Sequence, residues 1–214
     1  LRPWFLMTHA GIPFTEENIR LDRPETRKIL AEKSPSGLVP FLTHEDLKIW
    51  DSLAIAEYLN DLFPDKQLWP EDIKTRAMAR AVAAEMHSGF SNLRTVWPMV
   101  FTREGLSHVT SGGVSRDIGR IDDLWTRCRK THGAGGDFLF GKFSIADAMY
   151  APVVLRFSTY GINLPESAGY YPHRLLESKA IQDWLAASES ETEVIEMDEA
   201  GRARSISFAE LASD

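Results

Sequence analysis

Hydrophobic and polar positions along this chain fall into two textures. From Leu1 to Phe63, short apolar runs alternate between helical and extended spacing; from Ile73 onward, apolar residues recur every three or four positions almost without a break. The first run, inside LRPWFLMTHAGIP, predicts a helix over 3–10. Pro3 suits the first helical position, where its missing N–H has no partner to lose, and Gly11 with Pro13 supplies the stop. FTEENIRLD (14–22) predicts a strand, and ETRKILAEK one or two irregular helical turns. In SPSGLVPFLTHEDLKIWDS the pattern predicts strands at 39–43 and 47–50 around a tight turn of His44, Glu45 and Asp46. DSLAIAEYLNDLFP then places Ile55, Ala56, Leu59, Leu62 and Phe63 on one helical face, stopped by Pro64.

FPDKQLWPED carries two prolines and mixed charge, which predicts a linker over 64–72. IKTRAMARAVAAEMHSGFSNLRTVW predicts one long helix that Pro98 kinks or ends. On it Ala77, Ala81 and Ala84 form a small-residue seam, and Met78, Val82, Met86, Phe90 and Leu93 form a bulkier one, as for a helix packed on two sides. A second helix is expected over 114–131. A third starts at FSIADAMYAPVVLRF, and YYPHRLLES and KAIQDWLAAS give two short ones. The organisation expected is a mixed unit over 1–63, a linker over 64–72, an all-helical unit over 73–190 and an acidic, then mixed, extension over 191–214. That extension is either wrapped on the surface or partly disordered.

Composition narrows the function. With 214 residues, 43% hydrophobic and 26% charged, the chain can bury a sizeable core. Its net charge of -7 argues against nucleic acid as a partner, because a phosphate backbone wants a basic face. No apolar run approaches the roughly 18 residues of a membrane span. Cys128 is the single cysteine, which excludes an intrachain disulfide and favours a reducing, cytoplasmic setting. It shares a helical stripe with Ile118, Ile121, Leu124 and Trp125, so it reads as a core residue and not as a nucleophile. The six histidines form no metal-ligand spacing, and no metal site is expected. GAGGDFLFGKFS has the glycines of a phosphate loop but lacks the Lys-Ser/Thr pair opening a helix, since Phe143 follows Lys142. Ser144 and Asp147 are spaced as a capping box, in which each side chain satisfies an orphan N–H of the helix start.

Three of these segments, in this order and separation, resemble a cytosolic-type glutathione S-transferase. SPSGLVPFL resembles the family's loop ending in Val-Pro before a strand. WDSLAIAEYL resembles its acidic-Ser pair opening the next helix, and FSIADAMYAPV the Ser/Thr-x-x-Asp box of its helical domain. The resemblance implies an α/β thioredoxin-like N-terminal domain, here without its first strand, followed by an all-α helical-bundle domain. It implies a transferase of detoxification type that takes glutathione as co-substrate, attacks a small hydrophobic electrophile with the thiolate, and forms a homodimer, for which the alanine seam is a candidate contact.

The same resemblance assigns residues. Val39, ahead of a cis Pro40, would offer its backbone N–H and C=O to the cysteinyl part of glutathione, as an added strand does. Ser52, at a helix N-terminus, would take the γ-glutamyl carboxylate, and Asp51 the γ-glutamyl amine, although Glu or Gln is more usual there. The position before Val-Pro is often polar in the family and is Leu38 here. Lys33 is the substitute for holding the glycyl end, and weaker glutathione affinity is expected. Met86, Phe90, Arg94 and Trp97 are the expected walls of the electrophile pocket, the alternative, above all for Met86, being packing between the two halves. The hydroxyl that activates the sulfur is expected ahead of Leu1, so no catalytic residue is assigned within the chain. Thr8 and His9 lie too far along the first helix for that role, whereas Arg2 suits electrostatic support. Alternative readings are a non-catalytic binding or regulatory module, as in the starvation-type transcription regulators, and a glutathione-dependent isomerase of the maleylacetoacetate type. A third reading is a glutathione-dependent lyase or reductase, the last of which would want a cysteine near Leu1.

Overall fold

The computed structural model describes residues 1–21, 23–100, 111–162, 170–191, 193 and 195. The expected extension over 191–214 therefore lies almost wholly outside the described residues. The first helix, α1 (Arg2–Ala10), buries Pro3, Phe5, Leu6 and Met7. It ends where Gly11 turns left-handed (φ 64°), which lets the Gly11 and Ile12 N–H groups bond back to Thr8 and Met7 carbonyls at 3.2 and 2.9 Å. The strand expected over 14–22 is absent from the described part of that segment. No strand lies beside it to complete a ladder, since the sheet of the described residues consists of two strands paired with each other. Its charges instead reach helices: Glu16 accepts from the Trp4 indole at 3.0 Å, and Glu17 pairs with Lys33 at the end of α2 (Thr26–Lys33).

The two expected strands are β1 (Leu42–His44) and β2 (Leu47–Ile49), an antiparallel hairpin with Leu42 opposite Ile49 and His44 opposite Leu47. Both are shorter than expected, and Val39 and Pro40 lie just outside the ladder. Glu45 supplies the left-handed residue of the turn (φ 54°). From β2 the chain enters α3 (Ser52–Leu62), whose Ile55, Ala56 and Leu59 are buried.

The expected long helix is two helices. α4 (Ile73–Ser88) and α5 (Ser91–Val96) are separated by Gly89 and by Phe90 in a left-handed conformation (φ 57°). The break turns Phe90 into the core, where it is 7% exposed. The two-sided packing expected of this helix is also corrected. Ala79, Val82, Ala83 and Met86 face the core, whereas Ala77, Ala81 and Ala84 face outward and Met78 is 47% exposed.

α6 (Gly112–His132) and α7 (Ile145–Thr159) complete the centre, and α8 (Tyr171–Leu176) and α9 (Lys179–Glu189) close over it. All of α7 except Arg156 and Ser158 is buried, although Pro152 interrupts its backbone ladder. It packs against α1, α4 and α8, so the mixed and helical halves share one continuous core. Its first N–H, on Ile145, bonds to the Leu68 carbonyl of the connecting segment at 2.9 Å. The architecture is a thioredoxin-like N-terminal unit joined to an all-helical C-terminal unit.

Candidate functional site

The hairpin decides what can meet at the site. Because Leu42 pairs with Ile49, the chain entering β1 and the chain leaving β2 emerge side by side from the same open end. Val39–Pro40 precedes β1 and Asp51–Ser52 follows β2 at that end, Ser52 being the first residue of α3. The Val39–Pro40 bond is cis. Val39 is 44% exposed, and its N–H and C=O take no backbone partner among the described residues. Leu38, 67% exposed, stands beside it, its carbonyl held by the Ser34 hydroxyl at 2.8 Å.

Asp51 is the N-cap of α3. Its Oδ1 accepts the Leu53 and Ala54 N–H groups at 3.0 and 3.4 Å, which anchors the carboxylate at the positive end of the helix dipole. Its Oδ2 lies 2.6 Å from Nε2 of His87, in the last turn of α4. Ser52 is buried at the first helical position, and its hydroxyl has no hydrogen-bond partner among the described residues.

Arg2 lies within electrostatic reach of this carboxylate, and Arg94 lies beside Arg2. Arg2, at the start of α1, donates from Nε to the Met149 carbonyl of α7 at 3.1 Å. Burial, and then the neighbouring Arg94, pull its guanidinium down to about 10 against the opposing pull of Asp51, so it stays charged at neutral pH. Arg94 is exposed on α5 and donates to the His87 carbonyl at 3.3 Å.

The other expected site residues are placed less favourably. Met86 and Trp97 are 0% and 1% exposed, and Trp97 stacks on Tyr160 inside the helical half, so with Phe90 they pack the core and wall no open pocket. Met86 lies on the core face of α4 with Ala79, Val82 and Ala83, and Phe90 turns inward at the break that follows. Lys33 holds Glu17 at the surface and gives its carbonyl to the Lys48 ammonium at 2.7 Å. His9 stacks on Phe143 with ring centres 3.7 Å apart, and burial lowers its pKa. Among the described residues no cluster of His, Cys, Asp or Glu could hold a metal ion, and no helix is long and apolar enough to cross a membrane. The residue that sequence reasoning missed is His87. It carries no motif, and only the packing of α4 against α3 brings it to Asp51.

Residues 1–62 match the family model for the glutathione S-transferase N-terminal domain. That match assigns the N-terminal unit to the glutathione S-transferase N-terminal domain family. Among curated relatives it is 29% identical to glutathione S-transferase 1 of Dianthus caryophyllus over 136 residues, which is 62% of this chain and 61% of that protein. It is 23% identical to a stringent starvation protein A homolog of Coxiella burnetii over 90% of this chain and 88% of that one. In three dimensions it superposes on a glutathione transferase homolog from Burkholderia, solved with bound glutathione, with a TM-score of 0.66 at 22% identity, covering 89% of this chain and 91% of that one.

Proposed function

We propose that this chain binds glutathione along the open end of its hairpin and transfers the thiolate to a small hydrophobic electrophile. The observation that supports this reading is the antiparallel β1–β2 hairpin, since the chain through Val39–Pro40 enters, and the chain through Asp51–Ser52 leaves, at its open end. Val39 gives its free N–H and C=O to the cysteinyl unit. Ser52 and the N-terminus of α3 receive the γ-glutamyl carboxylate, and Asp51 receives the amine. Lys33, released from Glu17, meets the glycyl carboxylate. Arg2 and Arg94 add the positive field that favours sulfur as a thiolate, since a free thiol with a pKa of about 8.5 is mostly protonated at neutral pH. The sulfur then forms a bond to the electrophilic carbon, and the leaving group departs with its electron pair. Arg94 borders the acceptor side.

The exposed face of α4 that carries Ala77, Ala81, Ala84 and Met78 is proposed as the contact of a homodimer, and the reducing cytoplasm as the setting. The reading is tested by retention of the full-length protein on immobilised glutathione together with turnover of a chlorodinitrobenzene-type electrophile. Binding with turnover supports it, and absence of binding overturns it. The long match to a starvation protein A homolog favours a second reading, a non-catalytic module on the same fold. Binding without turnover of any electrophile would select that one.

A further inference from the structure

We propose that His87 is a positioning residue for Asp51: from the helical half it fixes the carboxylate so that one lone pair stays free for the amine of the bound peptide. This rests on the assignment of Asp51 as the amine's partner. A carboxylate offers about four acceptor positions. Two on Oδ1 are filled by the Leu53 and Ala54 N–H groups, and one on Oδ2 by His87 Nε2–H. What remains is a single direction on Oδ2, in a side chain that is 48% exposed. A cap residue this exposed, held only through Oδ1, keeps the freedom to rotate its second oxygen, whereas the imidazole removes that freedom.

His87 acts through Nε2 alone, because its Nδ1 is buried without a partner. Its ring is placed by α4, and Arg94 from α5 holds its carbonyl. Arg2 from α1 and the neighbouring Arg94 are cations that repel an ammonium, so recognition of the amine falls on Asp51. The helical half, through its contact with Asp51, thereby sets how tightly the amine end is held.

The test compares S-methylglutathione with its des-amino analogue, in which a glutaryl group replaces the γ-glutamyl group, by calorimetry on the full-length protein. His87→Ala is expected to weaken S-methylglutathione by about five- to tenfold, the loss of one charge-assisted contact, and to leave the analogue within about twofold. His87→Gln, whose amide can donate to Oδ2, is expected to restore most of the difference. Because the same variant must still bind the analogue, misfolding cannot imitate this pattern. Equal weakening of both ligands, or of neither, overturns the role of His87. Asp51→Asn separates the two levels. If Asp51→Asn abolishes the preference for the amine while His87→Ala keeps it, the assignment of Asp51 stands and the role of His87 falls. If Asp51→Asn keeps the preference, the assignment itself falls, and the role of His87 with it.

Discussion

Asp147 reaches back from the first turn of α7 to accept the Ser144 N–H at 2.7 Å and the Ser144 hydroxyl at 3.0 Å, while its other oxygen accepts the Leu139 N–H at 3.0 Å. The capping box is therefore more than a helix start. It ties the loop after α6 to the helix at the centre of the core, and it does so with a carboxyl group that has no exposed surface.

That burial has a pH signature. Desolvation pushes the Asp147 carboxyl up to about 6 from an ordinary 3.8, against the pull of the Leu139 and Ser144 donors. Between those values the folded chain holds a proton that the unfolded chain has released, so stability falls as pH rises through the window, and the loss is complete above about 6. Asp147→Asn removes the titration and, by exchanging an acceptor for a donor, costs about 1–3 kcal/mol of its own. Urea unfolding from pH 4.5 to 7 should show the wild-type advantage over this variant shrinking with pH, by something on the order of 2 kcal/mol. Parallel stability curves would mean that the carboxyl is already ionised throughout.

Cys128 supplies a second check on the core. It is 4% exposed on α6, and burial, reinforced by the nearby Asp147, raises its thiol to about 11. The reactive thiolate is then both scarce and inaccessible. A thiol reagent at pH 8 should modify the folded protein at least about 100-fold more slowly than the protein in guanidinium chloride. Rapid labelling of the folded state would place Cys128 outside the core and undo the assignment of α6.

The helix pattern made α6, α7 and the capping box legible, because each follows from spacing within one segment. The hairpin itself was legible for the same reason, since turn and strands are contiguous, but its register was not: a turn of His44, Glu45 and Asp46 would set Thr43 opposite Leu47, and His44 takes that place. What escaped was the outcome of contacts between distant segments. The run after Phe14 has strand-forming residues, but a strand needs a neighbour, and periodicity says nothing about neighbours. The alanine seam of α4 has the small residues of a packed face but lies exposed. His87 looked like any polar residue near a helix end until α3 was placed beside it. In the candidate site, one hairpin carries Val39–Pro40 into β1 and Asp51–Ser52 out of β2, so that much follows from contiguity, whereas the burial of Met86 on α4 and of Trp97 beyond the break had no local sign.

That break is itself testable. A Cβ added at Gly89 would lie 2.6 Å from the Glu85 carbonyl oxygen, which belongs to the backbone and cannot move alone. Gly89→Ala should therefore destabilise the protein by about 1–3 kcal/mol, although alanine is the better helix former. If instead α4 and α5 ran on as one helix, the same substitution would stabilise it, and the sign of the change in Tm decides.

Ser52 offers the sharpest separation of binding from folding. It sits at the first position of α3, but the cap is Asp51, so the serine hydroxyl does nothing for the helix and bonds to no described residue. Removing it should cost stability little, within about 0.5 kcal/mol. If the γ-glutamyl carboxylate docks on it as proposed, Ser52→Ala loses a charge-assisted hydrogen bond that the bound state needs, and glutathione affinity should fall by about tenfold or more. Asp51→Ala should behave differently, losing the cap and the His87 contact together and lowering Tm as well as affinity. Calorimetric titration and thermal unfolding of both variants test this. A Ser52→Ala protein that binds glutathione like the wild type would remove the carboxylate from the N-terminus of α3, and with it the proposed orientation of the peptide along the hairpin.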